Sequence, residues 1–277
     1  MSLPQLSLPE DSPFAENAVN RPSAAMLLQP PLSISHLMLW ILGSAIILGG
    51  YRLFEIGEGR PEGVKLVRQV YMMAGSFVNG AQVAALFIFV ARLFTRKGPL
   101  PREPGHWLLF KSGASCVIGW GTLGLARWII PDDTANMGLI GISIFIIATY
   151  SPAVLFLLVA LLMQRGEWLW RAFFGILCLS SSINVLLGAL MLAENAFLDD
   201  SQFLGGIWGT TLYFQWISWE VWIVEVPMLV CLCGLLLLDF RAGKRRDWMH
   251  FAGVIAEAAV VVLSLAAHFA YAYVLRS

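Results

Sequence analysis

Four ionisable side chains lie inside long apolar stretches of this sequence, and they are the residues best suited to chemistry: Lys111, Glu220, Glu225 and Glu257. A charged side chain at the centre of a bilayer costs about 2.5–3.5 kcal/mol on insertion scales. Residues of this kind usually face a protein interior or a water-filled cavity, where they bind a proton, an ion or an oppositely charged partner. We therefore treat these four, together with His250 and His268 of the last apolar stretch, as the candidate intramembrane polar site.

A stripe of polar side chains follows the last apolar stretch. At 100° per residue, spacings of 7, 7, 4 and 3 place five side chains on one helix face: His250, Glu257, Ser264, His268 and Tyr271. The 18 residues from His250 to His268 correspond to roughly 27 Å of helix. Since polar side chains cannot face lipid over such a length, we expect the stripe to face protein or water.

The preceding stretch carries a second polar face, formed at helical spacing by Gln215, Ser218, Trp222 and Glu225. Pro227 removes a backbone donor, so we expect a kink beside Glu225. The short connector 241–247 predicts antiparallel neighbours, with Glu225 and Glu257 at one depth. Two such carboxylates should not both ionise in a low dielectric without a cation. Protonation, a bound cation or pairing with Lys111 would resolve this, although we favour a Lys111 side chain that extends to the headgroups.

Motifs for enzymatic or cofactor chemistry do not accompany these residues. The sequence contains no HExxH, GxSxG or Walker loop, and the letters GxGxxG at 119–124 lie within an apolar stretch, where they indicate close helix packing. The cysteines, which predict neither a disulfide nor a zinc site, are Cys116, Cys178, Cys231 and Cys233. We expect no cofactor and no metal, and an enzyme is the least supported class because no nucleophile–base pair is visible.

Membrane-spanning helices must position the candidate residues. The chain is 58% hydrophobic and 13% charged, against roughly 45–50% and about 25% in soluble domains. Its 18 basic and 18 acidic residues offer no basic face for nucleic acid. Seven apolar blocks of about twenty residues or more, each long enough to span hydrocarbon, lie at 34–51, 69–91, 107–129, 137–163, 168–193, 209–238 and 249–274. We therefore predict an all-α polytopic transmembrane bundle of seven spans.

The charges outside these blocks predict the domain boundary and the orientation. Residues 1–32 include six of the 13 prolines, which predicts a disordered N-terminal tail before a transmembrane domain over 33–277. Eleven Lys and Arg residues fall on the side of the N-terminus and six on the other. By the positive-inside rule the N-terminus is cytoplasmic and the C-terminus is outside. We expect an integral protein of the plasma (cell inner) membrane.

The start of the last block has the sequence Trp248-Met249-His250-Phe251, followed by Val254. With seven spans and a cytoplasmic N-terminus, this is similar to cytochrome c oxidase subunit III, whose final helix begins with a Trp-x-His-Phe type sequence. The family's acidic residue soon after this motif is replaced by Gly253 here, and its glutamate in the third helix is missing from the span that carries Lys111. The resemblance implies an accessory subunit without metals of its own.

Two main classes of function follow. The simplest expectation is an accessory or structural component of a membrane assembly, in contact with lipids and other subunits, which predicts a dry, hydrogen-bonded stripe. The alternative is a proton- or ion-coupled transporter using Glu225, Glu257 and His268, which predicts a water-filled cavity beside the stripe.

Overall fold

The fold is described from a computed structural model of the 277-residue chain. The structure describes residues 34–53, 62–95, 103–129, 137–164, 166–197, 208–244 and 246–274. The predicted tail, 1–32, lies outside these residues. The chain divides into two compact units, Met1–Leu37 and Met38–Ser277, and the contacts discussed below belong to the second unit.

Regular structure in the described ranges is helical throughout. The helices are α1 (Ile34–Leu53), α2 (Glu62–Thr95), α3 (Pro104–Ile129), α4 (Met137–Met163), α5 (Trp168–Phe197), α6 (Trp208–Glu220), α7 (Val226–Arg241) and α8 (Trp248–Val274). A π-helical turn, Val221–Glu225, joins α6 to α7 in one continuous segment. In a bilayer every backbone polar group must be paired within the segment, which is why long apolar blocks form helices.

Seven segments among the described residues are long and apolar enough to cross a membrane: Ile34–Tyr51, Lys65–Ala91, Pro104–Ala126, Leu139–Met163, Trp168–Ala196, Gly209–Arg241 and Trp248–Ala270. In the described residues, the predicted all-helical architecture and the number of helices long and apolar enough to span a membrane are confirmed, and these helices indicate an integral membrane protein.

The last helix, α8, packs more extensively against α2 and α3 than against α7, its neighbour in sequence. The largest core cluster joins α3, α4, α5, α7 and α8 around fully buried side chains, among them Leu108, Leu157, Trp170, Leu232 and Val254. Because α8 contributes to this core and also packs against α2 and α3, its polar stripe is brought inside the bundle.

Two glycines set the distance between α3 and α8. A Cβ atom on Gly105 would lie 2.0 Å from the backbone oxygen of His250, and one on Gly253 would lie 2.0 Å from the backbone oxygen of Gly105. Real Cβ contacts are never this short, so only glycine permits this crossing. Gly253 is also the position at which the oxidase subunit carries an acidic residue, and no side chain fits there in this packing.

The GxGxxG letters at 119–124 lie in α3, where the sequence predicts close helix packing. One of the three glycines has this role. A Cβ atom on Gly119 would lie 2.2 Å from Thr149 Oγ1 of α4, whereas Gly121 and Gly124 have no described atom within 4 Å of such a Cβ. Gly119 therefore sets the α3–α4 distance.

A buried ion network ties the ends of α5, α7 and α8 together. Arg246 donates hydrogen bonds to Glu167 at 2.6 and 2.8 Å and to Asp239 at 3.0 Å. The indole of Trp170 donates to the same Asp239 carboxylate at 3.3 Å.

We predict that Gly253→Ala destabilises the protein by about 1–3 kcal/mol, the usual range for overpacking, because the obstructing atoms are backbone and cannot rotate away. Gly234→Ala in α7 is the control, since no described atom lies within 4 Å of its Cβ position and alanine favours helix. Thermal unfolding in one detergent would measure both, and equal stability of the two variants would contradict the close crossing.

Candidate functional site

A polar cavity of about 280 Å³ lies inside the described part of the bundle. All four intramembrane ionisable residues predicted from the sequence line it: Lys111, Glu220, Glu225 and Glu257. They come from α3, from the end of α6, from the π-helical turn and from α8. Residues far apart in the chain thus meet around one space.

Glu257 is the most buried of the three carboxylates, with 4% of the residue exposed. The Lys111 ammonium donates a hydrogen bond to Glu257 Oε1, and the Ser112 hydroxyl donates to Oε2 at 2.8 Å. The lysine therefore pairs with the glutamate inside the bundle, which is one of the arrangements considered above, instead of extending away from it. A paired and hydrogen-bonded carboxylate can remain ionised in a low dielectric.

Glu220 accepts hydrogen bonds from uncharged donors of α5. Ser180 Oγ lies 2.6 Å and Asn184 Nδ2 lies 2.8 Å from Glu220 Oε1. These contacts link α5 to the end of α6.

Glu225 has the fewest partners of the three carboxylates. Ser264 Oγ donates to Glu225 Oε1 at 3.0 Å, and Oε2 is buried without a hydrogen-bond partner among the described residues. Ser264 lies seven residues beyond Glu257 on α8, or roughly 10 Å along the helix. Glu225 and Glu257 therefore share the cavity but interact with different groups, Glu225 with Ser264 and Glu257 with Lys111 and Ser112.

The irregularity expected at Pro227 takes the form of the π-helical turn, in which the Val226 amide donates to the carbonyl of Val221. This changes the predicted helix face. Gln215, Ser218 and Trp222 are exposed, whereas Glu225 is partly buried and lines the cavity. The α-helical period does not hold across the wider turn.

No family model, curated protein or solved structure matches this chain. The site must therefore be interpreted from its own geometry.

The histidines of the α8 stripe lie outside the lining of the cavity. His250 is fully buried and its Nδ1 accepts a hydrogen bond from the Gly105 amide at 3.0 Å. His268 is partly buried one turn beyond Ser264, and the side chain of Tyr271 lies outside the described residues. The stripe thus divides into a packing contact at His250, an ion pair at Glu257 and a hydrogen bond at Ser264.

A second polar cluster, not anticipated from the sequence, joins the start of α3 to the start of α8. His106 Nε2 lies 2.8 and 2.9 Å from the two carboxylate oxygens of Asp247. Asp247 also caps α8, because its Oδ1 accepts the His250 amide at 2.8 Å. Ligand atoms of Glu103, His106 and Asp247 lie within 4.8 Å of one another. The spacing of Asp247 and His250 is a helix-cap pattern, but only the fold brings His106 to it.

The two carboxylates of this cluster respond oppositely to their surroundings. Burial would raise the pKa of Asp247, but hydrogen bonds from His106 and the His250 amide outweigh it and hold that pKa below 3.8. Burial and the neighbouring Asp247 charge raise the pKa of Glu103 above 4.5.

We predict that Lys111→Met destabilises the protein by about 3–5 kcal/mol, because it leaves Glu257 buried without its cation. Glu257→Gln in the Lys111→Met background should restore most of the stability. Lys244→Met, at an ammonium whose side chain is 41% exposed, should cost no more than about 1 kcal/mol. Stability would be measured by thermal unfolding. If Lys111→Met and Lys244→Met lost the same free energy of unfolding, the buried ion pair would be contradicted.

Acid unfolding should separate Asp247 from Glu103. A lowered pKa means that the Asp247 carboxylate stabilises the fold above pH 3.8, and that this contribution is lost as pH falls through the folded-state pKa. Asp247→Asn retains a capping side chain, so it should be less stable than wild type near neutral pH and approach it in acid. Glu103→Gln should show the opposite sign, because a raised pKa makes ionisation unfavourable in the folded state. Parallel pH curves for wild type and Asp247→Asn would contradict this assignment.

Proposed function

We propose that this protein is a proton-coupled carrier of a small cation, with Glu220 and Glu225 as the carboxylates that exchange a proton for the cation. The observation that supports the proposal is a cavity lined by all three of the glutamates that lie within predicted spans. A water-accessible cavity beside the α8 stripe is the feature that distinguishes a carrier from a purely structural bundle.

The contacts of the carboxylates give them different roles. Glu257 has a permanent cation in Lys111. The described partners of Glu220 and Glu225 are uncharged, namely Ser180, Asn184 and Ser264. In a low dielectric these two carboxylates must either take up protons or bind a cation. Proton and cation then compete for one site, which is the requirement for coupled exchange.

The topology forms part of the proposal. The excess of Lys and Arg, eleven against six across the predicted connectors, supports a cytoplasmic N-terminus and an external C-terminus in the plasma (cell inner) membrane. In a transport cycle, the Glu225 region would then be open to the two sides of the membrane in turn.

The test is proton flux in proteoliposomes loaded with a pH-sensitive dye. A pH gradient is imposed, and sodium, potassium or tetramethylammonium chloride is added outside. We expect at least one of these cations to accelerate proton movement in wild-type vesicles. Glu225→Gln and Glu220→Gln should reduce the rate to that of empty vesicles, because an amide can exchange neither a proton nor a cation.

Glu194→Gln is the matched control. Glu194 accepts hydrogen bonds from Thr210 and lies outside the cavity lining, so its substitution should leave the flux unchanged. Flux in the Glu225→Gln and Glu220→Gln variants equal to that of a folded wild-type protein would overturn the carrier proposal.

A second proposal, an accessory component of a membrane assembly, is favoured by the burial of His250 and Glu257 in protein contacts on α8. A role like that of oxidase subunit III is one form of it. Purification from native membranes in a mild detergent should then recover stoichiometric partner subunits. Recovery of this chain alone, with intact cation-dependent flux, would favour the carrier.

A further inference from the structure

The cavity has an aromatic lining as well as an acidic one. The rings are those of Tyr51, Trp120, Phe145 and Tyr150. Three of them form a continuous cluster, with ring centroids 4.6 Å apart for Tyr51 and Trp120 and 5.7 Å apart for Trp120 and Phe145. The rings come from α1, α3 and α4, whereas the carboxylates come from the α6–α7 segment and α8.

The charges of the lining leave room for one more cation. Lys111 is the only basic residue among the described lining residues, and it is paired with Glu257. Glu225 Oε2 has no described partner, and the same is true of the hydroxyl of Ser115, a residue that lines the cavity and is only 7% exposed. Buried polar atoms are normally hydrogen-bonded. Glu225 Oε2 and the Ser115 hydroxyl therefore lack described hydrogen-bond partners beside the same cavity. This indicates that a polar ligand binds there.

The size and chemistry of the space favour an organic cation over a metal ion. Its volume of about 280 Å³ exceeds a cavity of about 150 Å³ that holds benzene and falls just below the usual range for ligand pockets. A bare metal ion needs a close shell of oxygen ligands on all sides, whereas part of this lining consists of four aromatic rings. Rings and carboxylates together are the combination that recognises an ammonium group bearing carbon substituents.

We propose that the cavity binds a small organic ammonium ion, with its charge at Glu225 and its carbon groups against Trp120 and Phe145. This inference rests on the proposed function, because it names the class of cation that the carrier takes. It goes further in assigning aromatic residues to the site and in excluding the alkali cations as the preferred ligand.

Calorimetric titration of the full-length protein in nanodiscs tests the inference. The probes are tetramethylammonium chloride and tert-butanol, which resemble each other in shape but differ in charge, at constant ionic strength set with sodium chloride. We expect saturable binding of tetramethylammonium and at least about 10-fold weaker binding of tert-butanol. Binding of sodium or potassium in place of tetramethylammonium would overturn the inference.

Variants locate the binding site. Trp120→Leu should weaken tetramethylammonium binding by about 10-fold, the order expected for a desolvated cation–π contact, and Trp120→Phe should recover part of it. Trp128→Leu is the matched control, because Trp128 lies on the same helix and is 84% exposed. Phe145→Leu is a milder second variant should Trp120→Leu fail to fold. If tetramethylammonium bound the folded Trp120→Leu variant, or the Phe145→Leu variant used in its place, as tightly as wild type, the proposed aromatic contact would be contradicted.

The two proposals can fail separately. If sodium or potassium drives Glu225-dependent proton flux while tetramethylammonium neither binds nor drives flux, the carrier stands and the organic-cation inference is wrong. If tetramethylammonium binds and Glu225→Gln abolishes binding without any proton flux in wild type, the binding site stands and the carrier proposal is wrong.

Discussion

The pairing of Lys111 with Glu257 is the interaction on which the rest of this bundle depends. Taking either charge out of water alone is costly, whereas together with the Ser112 hydroxyl they form a neutral, hydrogen-bonded unit. The pair joins α3 to α8, and one to two turns earlier the same helices meet at Gly105 and Gly253, where only glycine allows the backbones to approach. With α8 held in this way, its polar side chains face the interior of the bundle.

Once Glu257 has its cation, the other two carboxylates become the variable charges of the interior. Glu220 and Glu225 receive hydrogen bonds only from uncharged donors in the described part of the chain. Such donors favour the ionised form but bring no positive charge, so a proton or a cation must still neutralise these carboxylates in a low dielectric. The bundle thus combines one permanent ion pair with two carboxylates whose charge depends on what occupies the cavity.

The apolar blocks were sufficient to predict the seven helices and their approximate bounds, because the length of hydrocarbon to be crossed sets the length of each block. The rarity of charge inside them was sufficient to select Lys111 and the three glutamates. Pairings between distant segments could not be predicted. Periodicity says which face of α8 is polar, but it does not say that Glu257 meets Lys111 or that Asp247 meets His106, since these contacts depend on how helices pack in three dimensions.

The meeting of Glu220 and Glu225 shows most clearly why helical periodicity was insufficient. At 100° per residue, side chains five positions apart on an α-helix point about 140° away from each other, and for this reason the sequence pattern did not place Glu220 on the face that it assigned to Glu225. The hydrogen bond from the Val226 amide to Val221 widens the turn between the two glutamates. Side chains at positions i and i+5 then approach one face, and both carboxylates line the same cavity. Pro227, which cannot donate to an α-helical ladder, marks the place where this departure is tolerated. The local defect in the helix is therefore what assembles the site.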